Sequence, residues 1–383
     1  MGEIEENRSY ETFSSFDEMN LKLSLMRGIY QYGFETPSPI QSKAIIPFTQ
    51  NNDMIAQAQS GTGKTATFSI AVLQNINEDN NNLQAILVAP TRELASQIHY
   101  VIGSLGKHMN VKSRLMVGGQ RYETINSQII VGTPGRILDC ISRNIILIDD
   151  IINYVMDEAD ELLSPSFREQ IRSIIAFLPQ TCKIGLYSAT VTPEMLGVTK
   201  LFLKNPLHIL IKQEQLTLEG IRQYYIDVQK NHFKYETLKD IYNHITVYQL
   251  MIYCNQKSSV DKLYSQLRND GFTASCIHGQ LPYEERMSVM KQFRSGETRI
   301  LISTDLLSRG IDVQQVSLVI NYELPPRITS YIHRIGRSGR YGRKGYAINF
   351  VTKQCIEELH KIESYYSTEI RPLTENISED LQI

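Results

Sequence analysis

No two cysteines lie close together. Cys140, Cys182, Cys254, Cys276 and Cys355 are scattered over 383 residues without a C-x-x-C spacing. That excludes a thiolate zinc cluster and a disulfide framework, and it favours a reducing compartment. There is no long uncharged apolar run of the kind a membrane span needs. The opening residues, Met1-Gly2-Glu3-Ile4-Glu5-Glu6, are acidic and lack the basic start and apolar stretch of a secretory signal. Glu6 stands where a myristoylation signal requires Ser or Thr. The expected location is cytoplasmic, with the nucleus as the alternative. A formal net charge of −2 excludes a global attraction to polyanions, so any nucleic-acid binding must come from a local basic face. Short-period repeats are absent as well.

What is present is the composition of a soluble globular protein, 42% hydrophobic and 21% charged. The length suits two domains better than one core. Short apolar runs alternate with helical patterns, which predicts an α/β protein built on mostly parallel sheets. In the first half, strands are expected at 54–56, 85–89, 128–131, 151–156, 184–187 and 208–211, with helices such as 64–75, 93–103 and 167–177 between them. In the second half, strands are expected at 250–254, 273–277, 299–303, 318–321 and 346–351. A helix is expected at 259–270, with Val260, Leu263 and Leu267 on one face, Ser258 or Ser259 as its cap and Gly271 at its end. The polar stretch 212–217 marks the boundary.

Two motifs carry chemistry on their own. Ala58-Gln59-Ser60-Gly61-Thr62-Gly63-Lys64-Thr65 follows an apolar strand and opens a helix. Glycines let backbone N–H groups close around phosphate oxygens at the positive end of that helix. Lys64 would neutralise the terminal phosphates and Thr65 would ligate Mg2+. A chance match of two glycines, Lys and Ser/Thr occurs on the order of once per hundred chains of this length. Asp157-Glu158-Ala159-Asp160 follows a second apolar strand, where carboxylates point into the ligand crevice of such sheets. There Asp157 would hold Mg2+ through water, and Glu158 would orient or deprotonate the attacking water. An acidic helix start is the bland alternative; the upstream phosphate loop tips the balance to catalysis.

With these motifs placed, the chain resembles a DEAD-box RNA helicase over nearly its whole length. That resemblance implies two RecA-like domains joined by a short linker, with ATP and Mg2+ as cofactors. Gly33-Phe34-Glu35-Thr36-Pro37-Ser38-Pro39-Ile40-Gln41 resembles the adenine-reading Q motif, with Phe16 lying 17 residues upstream of it. The resemblance implies that Gln41 hydrogen-bonds adenine and Phe16 stacks on it; Phe34 belongs to the same site. Pro90-Thr91-Arg92-Glu93-Leu94-Ala95, Gly118-Gly119 and Thr133-Pro134-Gly135-Arg136 match the family's RNA-contacting motifs. Read singly they would be helix caps; three in family order imply phosphate cradles. Ser188-Ala189-Thr190, with Asp160 and His333, matches the apparatus coupling hydrolysis to strand separation.

In the second half, Ser303-Thr304-Asp305-Leu306-Leu307-Ser308-Arg309-Gly310-Ile311-Asp312 resembles the fifth helicase motif. It implies that Thr304 touches RNA, as does Arg286, and that Asp312 touches the ATP ribose. His333-Arg334-Ile335-Gly336-Arg337-Ser338-Gly339-Arg340 resembles the sixth; a basic surface patch is its simpler explanation. Arg337 and Arg340 are expected one helical turn apart, as fingers on one phosphate. Such fingers contribute about 10³–10⁵ in rate.

Several positions depart from the family pattern. Asn255-Gln256-Lys257-Ser258-Ser259 lacks the usual basic run, Tyr283 replaces a glutamine, Gln280 replaces an aspartate, 120–127 is short, and Pro165-Ser166 replaces a basic-Gly pair. These imply a weaker hold on RNA and leave the ATP chemistry untouched.

The expected domains are an N-terminal extension at 1–32, an ATP-binding domain at 33–212, a linker at 213–218 and a C-terminal helicase domain at 219–383. Residues 56–71, 216–223 and 310–324 resemble the translation-initiation branch of the family. Ser338-Gly339-Arg340-Tyr341 and Tyr365-Tyr366-Ser367-Thr368 resemble the nuclear exon-junction branch, the alternative. The initiation resemblance implies a monomer that unwinds short duplexes in messenger leaders through sequence-independent backbone contacts, beside a HEAT-repeat scaffold protein.

Overall fold

A computed structural model describes residues 11–50, 52–58, 61–119, 126–210, 221–245, 249–307, 316–338, 345–374 and 381. The chain divides into two compact units, Met1–Leu216 and Thr217–Ile383. The linker expected at 213–218 lies outside the described residues.

Unit 1 contains strands β1 (Met54–Gln57), β2 (Ala85–Val88), β3 (Ser113–Met116), β4 (Ile129–Gly132), β5 (Asn153–Asp157), β6 (Lys183–Ser188) and β7 (Leu207–Leu210). Its helices are α1 (Leu23–Tyr32), α2 (Pro39–Thr49), α3 (Lys64–Asn75), α4 (Arg92–Leu105), α5 (Pro134–Ser142), α6 (Ala159–Leu162), α7 (Arg168–Phe177) and α8 (Pro193–Thr199). Unit 2 contains β8 (Ile221–Asp227), β9 (Leu250–Tyr253), β10 (Ala274–Ile277), β11 (Ile300–Ser303), β12 (Leu318–Asn321), β13 (Gly345–Val351) and β14 (Arg371–Pro372). Its helices are α9 (Lys234–His244), α10 (Lys257–Asn269), α11 (Tyr283–Arg294), α12 (Ile328–Ile335) and α13 (Ile356–Tyr366).

The expected α/β architecture is what the chain adopts. Among the described residues each unit holds one seven-stranded sheet, ordered β3-β4-β2-β5-β6-β1-β7 and β10-β11-β9-β12-β13-β8-β14. The neighbouring strands of both sheets run parallel. Renumbered from its own first strand, the second order is the same as the first. Central strands are continuous apolar runs because helices cover both faces. In β2, Ala85 and Leu87 enter one core beside Phe16, Phe48 and Phe68. Ile86 and Val88 enter the other, beside Ile137, Leu162 and Ile171. Each buried aliphatic side chain contributes about 1.5–3 kcal/mol.

Helix starts are written in the sequence. Ser38 and Gln41 form a reciprocal capping box at α2, with Pro39 at its first position. Thr91 accepts from Leu94 N–H at α4, and Thr192 does the same for Met195 at α8. The cap of α10 differs from expectation. The helix starts at Lys257 with Gln256 as its cap residue, whose side chain makes no cap hydrogen bond, and the Ser259 hydroxyl donates instead to Glu323 Oε1, 64 residues away, at 2.9 Å. Among the described residues no helix is long and apolar enough to cross a membrane.

Candidate functional site

Three strands of the first sheet, β1, β5 and β6, end side by side: β1 and β5 deliver the nucleotide motifs, and β6 between them delivers the coupling motif. The β1 loop is tied to β6, since Ala58 N–H donates to Ser188 O at 3.1 Å. Gln59 and Ser60 lie outside the described residues. Gly61 and Gly63 have φ of +86° and +98°, a region costly for any residue with a Cβ. A Cβ on Gly63 would also stand 2.7 Å from Gln41 Nε2, so the phosphate loop and the Q-motif helix meet there. Lys64 begins α3, and its ammonium donates to Ala58 O at 2.7 Å, folded onto the loop it belongs to. Thr65 follows, half-buried, in the first turn.

At the end of β5, Asp157 is buried and Glu158 adopts φ +52°. Left-handed backbone costs a side-chain-bearing residue roughly 1–2 kcal/mol. It turns Glu158 out of the strand at the ligand edge, and Glu158 N–H donates to Asp157 Oδ1 at 3.0 Å. Burial, followed by the neighbouring Glu158 charge, pushes the Asp157 carboxyl up to about 7, with Lys64 opposing. A buried carboxyl so destabilised in its charged form is a hard-oxygen donor of the kind that fits Mg2+.

Asp160 and the β6 motif are joined directly. Thr190 Oγ1 donates to Asp160 Oδ2 at 2.8 Å, and Ser188 Oγ accepts from Thr190 N–H at 3.2 Å. A displacement of the acidic segment must therefore reach Ser188-Ala189-Thr190.

The other three ends, those of β2, β3 and β4, deliver the remaining motifs of unit 1. Arg92 opens α4 with its guanidinium over Gly118, where a Cβ would stand 2.9 Å from Nη2. Gly119 has φ +91°. Thr133 N–H donates to Met116 O at 3.2 Å, and Pro134 then starts α5. Gly135 is exposed, and Arg136 lies 3.8 Å from Asp139.

Phe16, expected to stack on adenine, is fully buried in the first core, tilted against Phe34 with centroids 6.5 Å apart. Phe34, partly exposed and 5.0 Å from Tyr32, is the ring that reaches the surface. Pro90 is likewise buried at the end of β2, which leaves Arg92 and the exposed glycines to form the surface.

In unit 2, Arg334 is a hub that motif reading missed. It is wholly buried and lies 5.3 Å from the Tyr253 ring centroid. Its Nε donates to Asp305 Oδ1 at 2.6 Å, and Nη2 donates to Asn255 Oδ1 at 2.8 Å. Its Nη1 donates to Glu323 O at 2.7 Å and Asn321 Oδ1 at 3.3 Å. One guanidinium thus fixes the loops after β9, β11 and β12 relative to one another. These partners lie up to 79 residues away, beyond the reach of local pattern.

Helix α12 ends at Ile335, and Arg337 lies just beyond it. Arg337 is buried, and its Nε donates to His333 O at 3.1 Å. Arg340 and Asp312 lie outside the described residues. Thr304 is half-buried after β11, and its carbonyl accepts from Ser303 Oγ. Arg286 is buried on α11. Of the departures, Lys257 and Gln280 bond each other, the ammonium donating to the amide oxygen.

Comparison with known proteins places these motifs in context. Residues 38–197 match the DEAD/DEAH box helicase family and 233–342 match the helicase conserved C-terminal domain. The chain is 51% identical to eukaryotic initiation factor 4A of Caenorhabditis elegans, over 96% of this chain and 93% of that one. It is 52% identical to the ATP-dependent RNA helicase eIF4A of Candida albicans, over 94% and 93%. Among solved structures, S. cerevisiae Dbp5 bound to RNA and ADP BeF3 is similar at TM-score 0.92 and 36% identity, covering 96% and 97% of the two chains. Mss116p bound to ssRNA and AMP-PNP is similar at 0.86 and 26%, covering 98% and 83%. The chain therefore belongs to the DEAD/DEAH box helicase family, and Asp157-Glu158-Ala159-Asp160 makes it a DEAD-box member.

Proposed function

We propose that this chain is an ATP-dependent RNA helicase of the initiation-factor 4A type, which opens short duplexes in messenger leaders. The observation that carries the reading is the division of one sheet edge. Strands β1 and β5 end in the nucleotide motifs, β6 between them ends in the coupling motif, and the adjoining β2, β4 and β3 end in the cationic and glycine-bearing motifs. The Asp160–Thr190 bond supplies a mechanical link from the acidic motif to the strand beside it. The 51% identity to initiation factor 4A over nearly the whole chain favours that branch over the exon-junction clamp.

In this reading ATP is the substrate. Gln41 and Phe34 contact the base, Gly61 to Thr65 cradle the phosphates, and Glu158 orients or deprotonates the attacking water. Thr65 and Asp157 would hold Mg2+, which supplies positive charge to the phosphate oxygens when bound. Arg92, Gly118, Gly119, Thr133, Gly135 and Arg136 contact the backbone of an RNA strand, with Thr304 and Arg286 contributing from unit 2. Backbone contact gives affinity without base sequence. Arg337 supports phosphate charge, and Asp160, Ser188, Thr190 and His333 transmit hydrolysis to the strand. The ATP-binding domain spans 33–212 and the C-terminal helicase domain 219–383. The chain works as a monomer in the cytoplasm, beside a HEAT-repeat scaffold.

The test is separation of a short RNA duplex by the purified chain, with and without ATP and a scaffold protein. Separation that requires ATP and rises with the scaffold supports the reading. ATP-independent separation, or ATP-dependent retention of RNA without turnover, would replace it with the clamp function.

A further inference from the structure

The phosphate-loop helix α3 is gripped at both ends by the segment that precedes it. At its N-terminus, Gln41 and Ser38 at the start of α2 close on Gly63. At its C-terminus, Lys22, the residue before α1, donates its ammonium to Ile76 O at 2.5 Å and lies 3.5 Å from Leu73 O. Lys22 N–H also donates to Gln74 Oε1 at 2.9 Å. The last carbonyls of a helix have no internal partner and carry the negative end of its dipole, so a cation there satisfies both.

Between these grips the chain has little slack. Gly28 of α1 lies so close to α4 that a Cβ would stand 1.8 Å from Leu105 O. Gly33, at φ +98°, ends α1, and Phe34 N–H donates back to Ile29 O. The base-side residues Phe34 and Gln41 therefore hang on a short rigid path that begins at the far end of the phosphate-loop helix.

We infer that Lys22 is a positioning residue for the nucleotide: it sets the register between the base-side segment and the phosphate loop by anchoring α1 to the C-terminus of α3. This rests on the assignment of that site to ATP. Losing the anchor lets Phe34 and Gln41 drift relative to Gly63 while the phosphate loop keeps its own backbone. The penalty then falls on nucleotides whose base is recognised.

The test compares ATP and GTP hydrolysis by the full chain with saturating RNA. Lys22→Met retains the aliphatic stem and removes the charge. It is expected to raise the KM for ATP roughly fivefold, the size of one helix-end charge contact, with kcat within about twofold. GTP hydrolysis, which lacks the matching base, should stay unchanged. Unaltered ATP kinetics, or ATP and GTP impaired equally, would overturn the inference, the second because it signals general weakening of the helix. If Lys22→Met does not fold, Gln74→Leu removes the backbone tether and is read in the same way. A wild-type chain without RNA-stimulated ATPase, or without preference for ATP over GTP, would instead defeat the functional reading.

Discussion

The loops after the first strand of each sheet occupy the same place in the same strand order, yet only one carries the glycines at positive φ proposed to cradle a phosphate. After β1 come Gly61 and Gly63, both at positive φ, and then Lys64 at the start of α3. After β8 comes Val228-Gln229-Lys230-Asn231-His232-Phe233, which has no glycine, and then Lys234 at the start of α9. Both lysines are buried and both donate to a backbone carbonyl. Lys64 reaches Ala58 O within its own loop, whereas Lys234 reaches Tyr322 O beyond β12, at 2.8 Å.

The acidic ends differ in the same way. Asp157 at the end of β5 and Glu158 just beyond it stand at the proposed ligand site, while Glu323 after β12 accepts from Asn255 N–H at 2.6 Å and from the Ser259 hydroxyl. The scaffold is shared and the chemistry resides in the loops grafted on it. At these two strand ends the charged groups of unit 1 stand at the proposed ligand site, and Lys234 and Glu323 of unit 2 bind their own loops.

That contrast can be broken by exchanging tests between the units. Glu158→Gln should lower ATP turnover by about 10³-fold, the usual range for a lost general base, while RNA stays bound in the ATP state. Glu323→Gln, at the corresponding strand end, should change turnover by less than about threefold, because its partners are loop groups with ordinary hydrogen-bond energies. Single-turnover phosphate release and filter binding of RNA check both.

Arg334→Met should destabilise unit 2 by about 3 kcal/mol, since it abandons several buried hydrogen bonds and the Asp305 carboxylate. Denaturant unfolding followed by hydrogen exchange should place the loss in β9, β11 and β12 and leave unit 1 protected.

Lys64→Ala should weaken ATP binding by roughly 10²-fold through loss of charge-assisted bonds to phosphate. Lys234→Met should leave one ATP bound per chain and cost stability instead, by about 2 kcal/mol. Calorimetric stoichiometry separates the two outcomes.

A small effect on turnover belongs to Thr190→Val, which deletes the bond to Asp160. ATPase should fall by less than about fivefold, the value of one such bond, while duplexes opened per ATP fall further. Equal losses in the two rates would mean the bond is only structural.

Much of this architecture was legible because buried parallel strands announce themselves. The runs at Ala85–Val88, Leu250–Tyr253 and Leu318–Asn321 are apolar throughout, since helices cover both faces. Strands β3, β8 and β14 escaped that reading. Ser-Arg-Leu-Met and the two-residue β14 lie at sheet edges, and Ile221–Asp227 interleaves Arg, Gln and Tyr with only two isoleucines.

The phosphate loop and the acidic strand end were readable because glycine placement and a carboxylate pair after an apolar run are local signals. The burial of Phe16 and Pro90, the Ser259–Glu323 bond and the Arg334 hub were not. Each is decided by a partner distant in sequence, and no spacing rule encodes it.

The most direct measurement is steady-state ATP hydrolysis by the full chain, with single-stranded RNA or DNA of matched sequence. A protein that recognises the ribose-bearing backbone should be stimulated about tenfold or more by RNA and less than about twofold by DNA. Equal stimulation by both polymers, or hydrolysis indifferent to either, would contradict the account.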